Sequence, residues 1–254
     1  MRSLAGLVAL IMIAASPAFA WEYWGGDRGG SKFSNLDRIT PANVDNLVRA
    51  WEYRTGDLDK RPHAVMARTK FEATPLFVED SLILCSPFNE VIALDPGTGA
   101  QKWRYDPKVS ESERPGNRYV CRGVAYWVDE QADAGAACRS RIFMGANDYR
   151  VIALDAKTGT PCGDFGNNGE IKIDIGKPLL WPGEFQITSP PVVSRGVLVV
   201  GSAISDNVRV DAPLGIVRAF DARTGQPRWK FDPLVHDGIE AGHSNVWAPM
   251  SVDE

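Results

Sequence analysis

Ala93-Leu94-Asp95-Pro96-Gly97-Thr98-Gly99-Ala100-Gln101-Lys102-Trp103 returns further along the chain as Ala219-Phe220-Asp221-Ala222-Arg223-Thr224-Gly225-Gln226-Pro227-Arg228-Trp229. A third copy, Ala153-Leu154-Asp155-Ala156-Lys157-Thr158-Gly159, has Gly163 where the other two have Trp. The copies begin 60 and 66 residues apart and share the pattern A-x-D-x-x-T-G-x-x-x-W. Apolar β-formers lead into each one, Val91-Ile92, Val151-Ile152 and Ile216-Val217, as they do in buried strands. The Asp starts a turn by accepting from the backbone ahead of it, and the Gly takes the positive-φ position that closes the turn. The Trp falls on the outgoing strand, where a large flat ring fills the gap to a neighbouring repeat.

Working back from each copy, further short strands appear: Thr74–Val78 then Ser81–Leu84, and Pro191–Val193 then Gly196–Gly201. Four short strands joined by tight turns make one blade of a β-propeller, so the chain is expected to be all-β. A β-sandwich would also show short strands, but without a recurring turn-plus-Trp signature. At about 60 residues per repeat, residues 21–254 amount to about four blades. The segment Trp247–Glu254 reads as an opening strand that stops, which leads us to expect the N-terminal part of a longer protein.

Composition narrows the class. The 254 residues are 44% hydrophobic and 24% charged, which excludes disordered, collagen-like and disulfide-dense chains. The 24 Gly and 17 Pro exceed average usage, and blade turns account for them. Net charge is −4 with no long basic run, so nucleic acid is not an expected partner. His63, His236 and His243 lack the close spacing of a His-rich metal site. Arg2, the apolar run Leu4–Ala15 and the small residues up to Ala18-Phe19-Ala20 have the three parts of a secretory signal peptide. The alternative is an N-terminal membrane anchor, although the run is short for a span. No Cys follows it, so a lipoprotein is disfavoured. Residues 1–20 are therefore expected to be removed, leaving an exported, periplasmic chain from about Trp21. Export permits disulfides. Cys138 and Cys162 flank a strand-like segment and are the preferred pair, whereas Cys85 and Cys121 read equally as a pair or as buried thiols. Neither C-x-x-C nor C-x-x-C-H occurs.

The repeat with its Trp is similar to the tryptophan-docking motif of the pyrroloquinoline-quinone (PQQ) dehydrogenases, which are eight-bladed propellers. Trp24-Gly25-Gly26-Asp27-Arg28-Gly29-Gly30-Ser31-Lys32-Phe33-Ser34 resembles the start of their mature chains, as does Ile39-Thr40-Pro41-Ala42-Asn43-Val44-Asp45-Asn46-Leu47 leading to Trp51. The resemblance covers residues 21–254 and is nearest the branch of membrane-bound glucose and quinate dehydrogenases. It implies roles one residue at a time. Glu72 in Phe71-Glu72-Ala73-Thr74-Pro75 matches a Glu that contacts PQQ. Arg122 in Cys121-Arg122-Gly123-Val124-Ala125-Tyr126 matches an Arg that binds a PQQ carboxylate, a task suited to its fork of donors. Thr188 in Ile187-Thr188-Ser189-Pro190-Pro191 matches a Thr that hydrogen-bonds the quinone. Asp206, with Asn207, falls where the family places a Ca²⁺ ligand, and oxygen donors suit that hard cation. Trp247 in Ser244-Asn245-Val246-Trp247 matches the aromatic floor under PQQ, with Asn245 where the family often has Thr. Without the resemblance these residues read as a strand-end carboxylate, a surface ion pair, strand packing, an Asx turn and core packing.

The chain also departs from the family. The adjacent cysteines of methanol dehydrogenases are absent, Asn117-Arg118-Tyr119-Val120 standing before Cys121. Phe88 occupies a place where glucose dehydrogenases tend to carry His, which weakens glucose as the substrate. The family's catalytic Asp, a second Ca²⁺ ligand and a basic residue near the quinone all fall beyond Glu254. The resemblance implies oxidation of an alcohol, sugar or polyol CH–OH group. Ca²⁺ would polarise the quinone, an Asp would take the proton, and electrons would leave to ubiquinone or a cytochrome. Peripheral membrane association stays open. No G-x-G-x-x-G opens a helix after a strand, which disfavours nicotinamide. The competing readings are a non-catalytic periplasmic propeller scaffold and an inactive fragment.

Overall fold

The computed structural model describes residues 21–112, 114–234 and 242–253; the signal peptide expected at residues 1–20 lies outside them. Three four-stranded sheets follow one another along the chain, each with its strands in chain order. Blade 1 comprises Leu76–Val78, Ser81–Cys85, Val91–Leu94 and Gln101–Tyr105. Blade 2 comprises Ala125–Val128, Ser140–Gly145, Arg150–Asp155 and Glu170–Lys172. Blade 3 comprises Val192–Ser194, Val197–Val200, Val217–Asp221 and Pro227–Phe231. Every pairing inside a blade is antiparallel.

Alternation builds the core between blades. Successive side chains of a strand point to opposite faces. In blade 2, Phe143, Val151 and Ala153 pack toward blade 3 with Val193, Leu198 and Phe220. Their neighbours Ile142, Met144, Ile152 and Leu154 pack toward blade 1 with Leu76, Ile83 and Val91. A strand buried on both faces must be apolar throughout, which is why the third strands of blades 1 and 2 read as the unbroken hydrophobic runs 91–94 and 151–154.

The repeated turn has one geometry three times. Asp95 Oδ1 accepts from the backbone N–H of Gly97 and Thr98 at 3.0 and 2.8 Å. Asp155 and Asp221 accept from the two corresponding N–H groups of their own turns. Gly99, Gly159 and Gly225 sit at φ 73°, 72° and 73° and donate to the Asp carbonyl at 2.8 Å in each case. The flat surface of each Gly receives the preceding repeat. A Cβ on Gly159 would stand 2.5 Å from Trp103 Cε3, and one on Gly99 would stand 2.5 Å from Trp51 Cε3. Trp51 also donates its indole N–H to Pro96 O at 3.0 Å.

The copy lacking Trp docks differently. Gly225 meets the Gly166 backbone and Ile171, and Gly166 N–H donates to Thr224 O at 2.9 Å. Arg223 forks onto Asp129, and Arg141 donates to Arg223 O. The disulfide Cys138–Cys162 ties down the loop that replaces the Trp, as expected.

The described residues thus form three complete blades, one fewer than the repeat length suggests. The difference lies at the N-terminal side. Residues 21–71 form no sheet of their own; they supply the Trp21↔Phe77 bridge, the docking ring of Trp51 and two single-turn helices, Asp57–Lys60 and His63–Met66. Their one strand, Thr69–Phe71, pairs outside the blades. No helix among the described residues is long and apolar enough to cross a membrane.

Candidate functional site

Two short ladders outside the blades bring distant segments together. Thr69–Phe71 runs parallel to Tyr119–Cys121 with Phe71 opposite Cys121, so the next residues, Glu72 and Arg122, lie side by side. Their side chains meet at 3.1 Å, Arg122 Nε to Glu72 Oε2. Phe185–Gln186 pairs antiparallel with Ala203–Ile204, which delivers Thr188 on one side and Asp206 on the other. Arg122 joins the two ladders: its backbone N–H donates to Thr188 O at 3.0 Å, and its Nη1 donates to Thr188 Oγ1 at 2.7 Å.

The segment 244–247 crosses close above. A Cβ on Gly201 would stand 2.1 Å from Val246 O, so only glycine permits this approach, and Ser202 N–H donates to Val246 O at 3.0 Å. Ser189 Oγ donates to Trp247 O. Trp247 is thereby held with its ring beside the guanidinium, 5.2 Å from Arg122 Cζ to the ring centre, while 55% of it stays exposed. An anchored indole with an open face is suited to stacking on a flat ligand.

These residues border a cleft of about 350 Å³ whose wall includes Arg122, Thr188, Asp206, Asn245 and Trp247. Glu72 does not line the cleft; it pairs with Arg122, which does. Asp206 is exposed on the wall, whereas its neighbour Asn207, at φ 56°, does not line the cleft. Asn245 donates its amide to His243 O, leaving its Oδ1 buried without a partner among the described residues. That orphaned acceptor, the guanidinium and the open indole face fit a flat, acidic cofactor. The Asp206 carboxylate and the Asn245 carbonyl are oxygen donors of the kind Ca²⁺ takes. Among the described residues the one compact group of metal-ligand side chains is Cys138, Cys162 and Asp164, and its two sulfurs are bonded to each other.

The sequence reading misses the rest of the wall, formed by Lys70, Asn117, Arg118 and Val120 among others. A chain of buried amides fixes it. Asn147 N–H donates to Asn89 Oδ1 at 2.9 Å, and Gln186 Nε2 donates to Asn147 Oδ1 at 2.9 Å. Gln186 then accepts from Asn117 N–H at 2.8 Å and donates to Arg118 O at 3.1 Å. A buried amide satisfied at both ends rigidifies what it touches. Nothing local marks these residues, because their partners lie 39 to 69 positions away. Phe88 is buried under the Arg61 guanidinium, 3.8 Å from its ring, and beside Tyr119 at 5.1 Å; it does not line the cleft. Cys85 and Cys121, left open by the sequence, form a second disulfide with Cα atoms 6.0 Å apart.

Comparison with known proteins places this geometry. Residues 21–254 match the family model for the PQQ glucose/ethanol/alcohol dehydrogenase β-propeller domain. The glycerol dehydrogenase large subunit of Gluconobacter oxydans is 36% identical over 94% of this chain and 33% of its own length. The quinate/shikimate dehydrogenase (quinone) of Acinetobacter baylyi is 35% identical over 92% of this chain and 31% of its own. The quinohemoprotein alcohol dehydrogenase of Comamonas testosteroni superposes with a TM-score of 0.63 at 27% identity, covering 87% of this chain and 28% of that one. The chain spans about a third of the length of the curated relatives it matches. Repeat turns, docked rings, the Arg122 cleft and these likenesses together make the chain a member of the PQQ-dependent glucose/ethanol/alcohol dehydrogenase β-propeller family.

Proposed function

We propose that the cleft holds PQQ with Ca²⁺ and serves oxidation of a CH–OH group on an alcohol, sugar or polyol, with electrons passing to ubiquinone or a cytochrome. The observation that carries this reading is the position of Arg122, tied to Glu72 and Thr188 and set against the open face of Trp247. Two of its donors are committed within the protein, which fixes the guanidinium plane and leaves the others for a ligand carboxylate. Trp247 supplies a flat apolar floor and Asn245 an acceptor without a partner among the described residues. Asp206, with Asn207 beside it, supplies oxygens to the cation. When bound, PQQ supplies the two-electron oxidation itself. Glu72 is engaged by Arg122 and Asp206 is assigned to the cation, so neither is proposed as the base that takes the hydroxyl proton. We place this activity in the periplasm, after removal of residues 1–20.

The test uses the full-length protein reconstituted with PQQ and Ca²⁺ and a redox dye, over a panel of polyols, sugars and cyclic alcohols. Substrate-dependent bleaching is expected. Arg122→Ala should raise the PQQ dissociation constant by about ten- to a hundredfold, the loss of one or two charge-assisted hydrogen bonds. No turnover across the panel, or unchanged PQQ affinity in Arg122→Ala, would refute the reading.

A further inference from the structure

We infer that the Cys85–Cys121 disulfide is a positioning element of the cofactor cleft, fixing Arg122 and Glu72 in the orientation that accepts the ligand. The inference rests on the proposed assignment of the cleft to PQQ. Arg122 and Glu72 emerge from the ends of a parallel pair only three residues long on each side. Two short strands without a third are marginal on their own, and burial holds only one of them: Tyr119–Cys121 is buried, whereas the Thr69–Phe71 strand that leads to Glu72 is not, Phe71 being 56% exposed. Cys85 ends the second strand of blade 1, where it is fully buried and paired with Val91. Its bond to Cys121 therefore joins the weak pair to a four-stranded sheet, one residue before Arg122. From there Arg122 O accepts from Thr74 N–H, and Arg122 N–H donates to Thr188 O, both at 3.0 Å. The guanidinium is thus aimed from a covalently fixed backbone, and Cys121 does its work through Arg122 rather than by touching the ligand.

The molecule contains its own control. Cys138–Cys162 has a similar Cα separation, 5.7 Å against 6.0 Å, and a comparable sequence separation, 24 against 36 residues. Loop-closure entropy varies only with the logarithm of that length. Neither Cys138 nor Cys162 lines the cleft. The experiment compares the full-length protein with Cys85→Ser/Cys121→Ser and Cys138→Ser/Cys162→Ser, measuring melting temperature separately from PQQ affinity by tryptophan quenching. Both pairs should lose similar melting temperature, whereas only the first should lose PQQ affinity, by at least about tenfold from displaced positioning groups. Adding Arg122→Ala to the first pair should cost less than it does in the wild type, because the two act on one contact. If the serine pair does not fold, Cys85→Ala/Cys121→Val makes the same comparison. Unchanged PQQ affinity, equal loss in both pairs, or full additivity with Arg122→Ala would overturn the inference. A wild-type protein that binds no PQQ would instead overturn the proposed function beneath it.

Discussion

Gly159→Ala tests the docking of blade 1 on blade 2 directly. Two costs add. The residue sits at φ 72°, where an L side chain is disfavoured by roughly 1–2 kcal/mol. The new methyl would also stand 2.5 Å from Cε3 and 2.8 Å from Cδ2 of Trp103. The indole cannot step aside easily, being 8% exposed and enclosed with Ile142, Ile152, Leu154 and Ala156. Such overpacking costs about 1–3 kcal/mol, for a total of about 2–5 kcal/mol. Gly163→Ala is the matched control: it lies in the same repeat, where a Cβ meets nothing within 4 Å. Thermal unfolding followed by circular dichroism should show Gly159→Ala melting roughly 4–20 °C lower, at about 2–4 °C per kcal/mol. Gly163→Ala should stay close to the wild type. If the two variants melt together, the ring does not bear on Gly159 as described.

Asp206→Asn should weaken Ca²⁺ binding to the PQQ-loaded protein by at least about tenfold in a terbium-displacement titration, as loss of a charged ligand oxygen implies. Asn207→Ala should weaken it less, because Asn207 does not line the cleft; an unaltered titration for Asp206→Asn would remove Asp206 from the metal site. Acid should also unfold the protein through its turn and docking carboxylates. The side-chain hydrogen bond from Arg223 holds Asp129 below the usual aspartate range, and Thr98 does the same for Asp95. In Asp221, burial pushes the carboxyl up but hydrogen bonds from Thr224 and Arg228 outweigh it. A folded-state pKa below the unfolded one adds stability that is present above the unfolded value and lost as pH falls through the folded one. Urea midpoints should therefore fall on acidification below about pH 4. Asp129→Asn should be less stable at pH 7 and lose less on acidification than the wild type, and an undiminished acid slope would contradict the Arg223–Asp129 link.

The repeat and its turn are legible in the chain because their causes are local. An Asp that accepts from the N–H groups two and three residues on, and a Gly at positive φ, act within five residues. The candidate site is only half legible. Glu72, Arg122, Thr188 and Trp247 each read as ordinary packing or surface residues, and it is the resemblance that singles them out. Lys70, Asn117 and Arg118 carry no comparable signal, since the Gln186–Asn147–Asn89 amide chain that sets their wall is assembled from three segments far apart in the chain.

By itself, then, the sequence determines the blade: alternating buried strands, the Asp–Gly turn and the Trp that reaches for the next repeat. Tertiary structure decides the number of complete blades, the partner of Cys85, the docking of the copy that lacks Trp, and the meeting of Arg122 with Trp247. Each of these depends on distances between segments far apart in the chain. Local propensity carries no information about such distances until the blades have packed face to face.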